Sequence, residues 1–218
     1  YWQQWRGPWA SGVAPQADPP LTWSETNNVR WKVKIPGAGT ATPILWENKL
    51  FILTAVPTGR KLDPAEAAAR KAALATLPSG GTRELSPNVN PPQEFLRFMV
   101  LCLDRQTGRT LWERIACEEA PHEGHHRNHG YASASPVTDG EHLIVSFGSR
   151  GLYCYDLPGG LVWKQDLGKL FTRKSFGEGS SPALQGNTVV VVRDHEEEDV
   201  LLAFDKKDGR ELWRTRRD

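Results

Sequence analysis

The residues best equipped for chemistry stand in one short run, His122-Glu123-Gly124-His125-His126-Arg127-Asn128-His129. Neutral imidazoles at these separations can ligate zinc or copper, which makes His122, His125, His126 and His129 candidate metal ligands. Against that, the run contains glycine and asparagine, as loops do, and no carboxylate follows at a metalloprotease spacing. The expectation is a polar loop with no metal. A second run, His195-Glu196-Glu197-Glu198-Asp199, gathers carboxylates of the kind that bind calcium. Adjacent acidic residues at a hairpin tip more often solvate it and deter edge pairing. The three cysteines, Cys102, Cys117 and Cys154, show no C-x-x-C spacing and read neither as a metal site nor as a disulfide framework. The sequence holds no nucleophile elbow, P-loop or dinucleotide fingerprint, and no catalytic residue is assigned.

The elements that would position these residues repeat. Asp104, Gly108 and Trp112 are followed by Asp156, Gly159 and Trp163, then by Asp205, Gly209 and Trp213. A period of about fifty residues means one supersecondary unit stacked on copies of itself. Each unit opens on a hydroxyl residue and a proline: Thr42-Pro43, Ser135-Pro136 and Ser181-Pro182. Short aliphatic runs follow at Leu50, Leu143 and Val189, set off by polar linkers that suit tight hairpins. Each unit therefore reads as four short strands, the last two joined by the Asp-to-Gly turn. The aspartates are expected to bond turn amides, and the tryptophans to dock between sheets with one N–H to satisfy. Cys102, Cys154 and Ala203 share one repeat position, where a small buried residue is wanted. Cys117 has no counterpart in the repeat.

Four-stranded units of this length, arranged radially, make a β-propeller. The small-x-Asp-x-x-x-Gly-x-x-x-Trp phrase, complete at Cys102 to Trp112 and Ala203 to Trp213 and one residue shorter before Trp163, resembles the repeat of the pyrroloquinoline-quinone (PQQ)-like propeller family. The opening Trp2-Gln3-Gln4-Trp5-Arg6-Gly7-Pro8 is similar to the start of mature, exported bacterial members. The resemblance implies an all-β propeller, periplasmic or extracellular. Its boundaries would be an N-terminal arm and closing strand with Trp31 (1–38), a blade with a helical insertion at 57–93 (39–116), and two further blades (131–167 and 178–217). Three blades do not close a ring, so the propeller is expected to be incomplete, with the remaining blades C-terminal to Asp218. In the insertion, Asp63 caps a helix with Pro64 at its first position and Glu66 in its first turn, running to Leu77 and stopped by Pro78 and Gly80-Gly81. Insertions on propellers map to one face and often carry recognition, although a family-variable ornament is the competing expectation.

The resemblance implies a non-enzymatic scaffold that presents loops to a protein or polymer of the cell envelope, as the propeller lipoprotein of the outer-membrane barrel-assembly machinery does. The alternative it implies is a PQQ- and calcium-dependent dehydrogenase whose site needs blades absent from this chain. The sequence has no adjacent cysteine pair, and no carboxylate matches a calcium ligand or base, so no cofactor is assigned. The charge balance, 27 Lys and Arg against 26 Asp and Glu, argues against bulk binding of nucleic acid. No apolar run reaches membrane-spanning length. The chain opens with neither methionine nor leader, so an exported protein is expected to have lost its signal.

Overall fold

The computed structural model describes residues 1–77, 79–90 and 92–217. The aliphatic runs form strands whose alternate side chains pack against the neighbouring sheet, and in the middle sheet the two sides find two different cores. In the first sheet β1 (Ile44–Trp46), β2 (Lys49–Lys61), β4 (Glu94–Asp104) and β5 (Thr110–Glu119) lie in chain order. The second holds β7 (Val137–Thr138), β8 (His142–Ser146), β9 (Leu152–Asp156) and β10 (Leu161–Gln165). The third holds β11 (Ala183–Gln185), β12 (Thr188–Arg193), β13 (Val200–Asp205) and β14 (Glu211–Arg216). All neighbours are antiparallel, and the three sheets are blades of a β-propeller.

The cores lie between blades. Phe51, Phe98 and Val100 of the first blade meet Leu143, Val145 and Tyr155 of the second. On the other side of the same strands, Ile144, Leu152 and Trp163 meet Val189, Leu202 and Phe204 of the third. The repeat's small residue sits centrally: Cys102 is opposite Phe51 and Trp112, Cys154 opposite Ile144 and Trp163, Ala203 opposite Val190 and Trp213. Burial pushes the Cys102 and Cys154 thiols up to about 12 and Cys117 to about 11, so all three remain protonated packing residues.

Three local features differ from the sequence reading. The first-blade hairpin does not end at Pro57: β2 continues to Lys61, pairing Pro57 with Leu96 and Lys61 with Glu94 across an irregular register. Helix α1 (Pro64–Ala73) starts as expected, with Asp63 Oδ1 accepting from Ala65 N (2.8 Å) and Glu66 N (3.3 Å), but it stops short of Leu77. Leu74 turns inward and is buried, and the chain folds back so that Leu77 N donates to Gly81 O. Pro78 lies outside the described residues. Finally, the segment around Trp31 joins no sheet among the described residues; the arm touches the blades through isolated bridges such as Trp2 with Leu45 and Ala38 with Ala55. A strand needs a partner ladder, and none runs beside it there.

Candidate functional site

Antiparallel up-and-down blades send their connections to two faces. The hairpins between the first and second strands, and between the third and fourth, lie on one face. The links between second and third strands, and from blade to blade, lie on the other. The insertion, the histidine run and the acidic run therefore share this second face, here called the connection face.

The hairpin face carries the blade joints. Trp112 Nε1 donates to Leu157 O (3.0 Å), and Trp163 Nε1 donates to Lys206 O (2.7 Å), each reaching the turn of the following blade. Trp31 does the same to Arg105 O (2.9 Å) on the first blade. Each ring lies on the turn glycine: Gly108, Gly159 and Gly209 all have positive φ, and a Cβ on any of them would meet the indole at 2.8 Å or closer. The turn aspartates accept as expected, Asp104 from Gln106 N (2.9 Å) and Thr107 N (2.8 Å), Asp205 from Lys207 N (2.8 Å), and Asp156 from Gly160 N. The Thr107 hydroxyl and amide hold Asp104 below the usual carboxylate range. Trp213 has no such turn to meet among the described residues and is 44% exposed, against 7% for Trp163. Gly209→Val is expected to cost about 2–3 kcal/mol, combining left-handed strain with a clash against Trp163. A urea titration reads it, and a change within error would show that the joint tolerates a side chain.

On the connection face the four candidate histidines do not converge. His122 Nε2 donates to Leu170 O (2.7 Å) while its Nδ1 accepts from Arg150 Nη2 (2.7 Å), so both ring nitrogens are engaged. Burial, then Arg150, lowers it to about 3 and keeps it neutral. His125 Nδ1 donates to His126 O, His126 Nδ1 accepts from Asn128 N, and His129 Nδ1 donates to Gly130 O. The run is not a free loop. A short strand β6 (His125–His126) pairs with β3 (Val89–Asn90) of the insertion, tying the two together. The acidic run is equally dispersed: Asp199 accepts from His195 N, Glu197 from Ser79 N, Glu196 from Lys174 N, and Glu198 pairs with Arg216.

Beneath this face lies a buried ion pair that the sequence reading missed. Arg83 of the insertion and Glu123 of the histidine run have side chains 0% and 2% exposed, with Nη2 and Oε2 3.1 Å apart. Arg83 also donates to Thr172 O and Leu74 O. Glu123 accepts from Thr172 Oγ1 (2.7 Å), Thr172 N (3.1 Å) and Ser175 Oγ (3.3 Å). Burial raises the Glu123 carboxyl above its ordinary range, and the Thr172 and Arg83 hydrogen bonds oppose this. Beside it, Arg150 pairs with Glu178 (2.8 Å), whose other oxygen accepts from Ser149 N (2.7 Å). Nearer the inner strands, the unit-opening hydroxyls link the blades: Thr42 N donates to Ser135 Oγ, and Ser135 N donates to Ser181 Oγ, both at 2.9 Å. That Ser/Thr-Pro signal was visible in the repeat. For the Arg83–Glu123 pair, no local pattern announces it.

Residues 97–218 match the family described as outer membrane protein assembly factor BamB. The chain belongs to this PQQ-like repeat propeller family. Among solved structures it is similar to the quinohemoprotein alcohol dehydrogenase ADHIIG from Pseudomonas putida HK5, at 16% identity and a TM-score of 0.46, over 85% of this chain and 22% of that one. It is also similar to BamB from Moraxella catarrhalis, at 14% identity and a TM-score of 0.36, over 84% of this chain and 49% of that one. The chain thus spans less than half the length of either. No curated protein matches it.

The described residues of this PQQ-like propeller do not fit a calcium-bound quinone. Calcium takes six to eight oxygens. One group of three metal-type side chains comes within 4.8 Å among the described residues, Asp139, Glu141 and His142, and it lies on the hairpin face. There Lys206 Nζ already sits 2.6 Å from Asp139 Oδ2 and supplies the cation. On the connection face, Glu123 and Glu178 are spent on arginines.

Proposed function

We propose that this chain is part of a non-enzymatic propeller scaffold whose connection face binds a protein or polymer partner in the cell envelope. One observation carries the reading: the insertion is clamped to the histidine run and to the 172–175 segment by the buried Arg83–Glu123 network. A recognition surface ordered in advance binds without the entropy cost of ordering loops. The description of the matched family, an outer membrane assembly factor, supports a periplasmic or extracellular place and a protein partner. The exposure of Trp213 supports a further blade packing over β14. No helix among the described residues is long and apolar enough to cross a membrane.

Site-specific photo-crosslinking tests this reading. A crosslinker in place of Asn128, exposed on the connection face, is expected to trap one discrete partner, and one in place of Asp208 on the hairpin face to trap none. Equal capture from both positions would count against the proposed face. A saturable absorbance change on adding PQQ with calcium to the same protein would replace the scaffold by a quinoprotein.

A further inference from the structure

Arg193 is a charge without an ion pair among the described residues. At the end of β12, its guanidinium reaches across to the second blade, donating from Nη1 to Leu167 O and from Nη2 to Gly168 O (3.1 Å). Burial works against its charge, while Glu178 and Asp166 favour it from further away. The carboxylates closest along the cavity wall are taken: Glu178 by Arg150 and Ser149 N, and Asp194 by Arg217.

Arg193 lines a partly open cavity of about 80 Å³ between the second and third blades. A single water needs about 10–15 Å³, so the space holds several waters or one small organic molecule. Phe147, Leu170 and Val191 supply apolar wall, and Gly179 and Ser180 supply a polar rim. The backbone N–H groups of Gly179 and Ser180 and the Ser180 hydroxyl make no hydrogen bond within the described chain. A part-buried guanidinium, unengaged amides and an apolar wall together complement a carboxylate on a short apolar stem. A doubly charged phosphate would bring its second charge next to Glu178 and Asp194 with one arginine to offset it, so the balance favours a single negative charge.

We propose that the cavity between the second and third blades binds a small aliphatic monocarboxylate, with Arg193, the Gly179–Ser180 amides and the Ser180 hydroxyl as donors. The cavity borders the connection face at Glu178 and the Gly179–Ser180 link, but small-ligand binding there does not rest on the proposed partner role. Ligand-observed and amide-shift NMR on the full chain test it with sodium butyrate, against butanol and inorganic phosphate at matched ionic strength. Butyrate is expected to bind saturably, to move the Gly179 and Ser180 amide resonances, and to outcompete the other two. Arg193→Met should weaken binding by about tenfold or more, and Arg193→Lys by less. If Arg193→Met does not fold, Ser180→Ala, at an exposed position, provides the weakened variant. No shift at Gly179 and Ser180 in the unmodified protein, tighter binding of phosphate, or butyrate affinity unchanged in the folded variants would overturn the proposal.

Discussion

Trp163→Ala is expected to lower the unfolding free energy by about 3–5 kcal/mol, the usual cost of deleting a large buried aromatic. The ring is 7% exposed and packs into the core shared by the second and third blades, with Leu202 and Phe204. Its removal opens a cavity there and strips Lys206 O of the indole N–H. It also frees Gly209, whose turn conformation the ring now covers. Trp213→Ala provides the internal control. It occupies the same repeat position but is 44% exposed, so its loss should cost under about 1 kcal/mol in this chain. Paired urea titrations read the difference. Similar costs for the two variants would mean that the indole acts within its own blade and not as a joint to the next.

That contrast also marks what the sequence could and could not convey. A hairpin is local, so the repeated spacing is enough to place Cys102, Asp104, Gly108 and Trp112 together, even in the blade that the insertion lengthens. The connection face is assembled from segments far apart in the chain. Glu123 looked like part of a solvated histidine loop because nothing near it in sequence suggests Arg83 or Thr172. The histidines misdirect for a related reason. Residue type allows metal ligation, but both ring nitrogens of His122 are taken by Leu170 O and Arg150, which only the folded chain brings to it. Likewise the Asp63 cap was legible because capping is a local interaction, whereas the end of α1 was not, since it depends on Leu74 finding the interior.

The same tertiary dependence makes Arg83→Met the other severe substitution. The methionine retains much of the side-chain bulk but leaves Glu123, 2% exposed, without its cation. Breaking a buried pair from one side costs about 3–5 kcal/mol, because the remaining charge is uncompensated. The pH dependence identifies the cause. Burial already raises the Glu123 carboxyl above its ordinary 4.5, and removing Arg83, which opposes that rise, raises it further. A group with a raised folded pKa contributes stability below its unfolded value and loses it as pH climbs through the folded one. The deficit of Arg83→Met should therefore be small near pH 4 and grow towards neutrality, the reverse of ordinary acid denaturation. Adding Glu123→Gln should recover most of the loss at pH 7, since the neutral amide can still accept from Thr172 through its oxygen and donate to the Ser175 hydroxyl through its NH2. A deficit that ignores pH, and that Glu123→Gln fails to relieve, would assign the cost to lost packing of the insertion and leave the buried charge pair without a part in holding the connection face together.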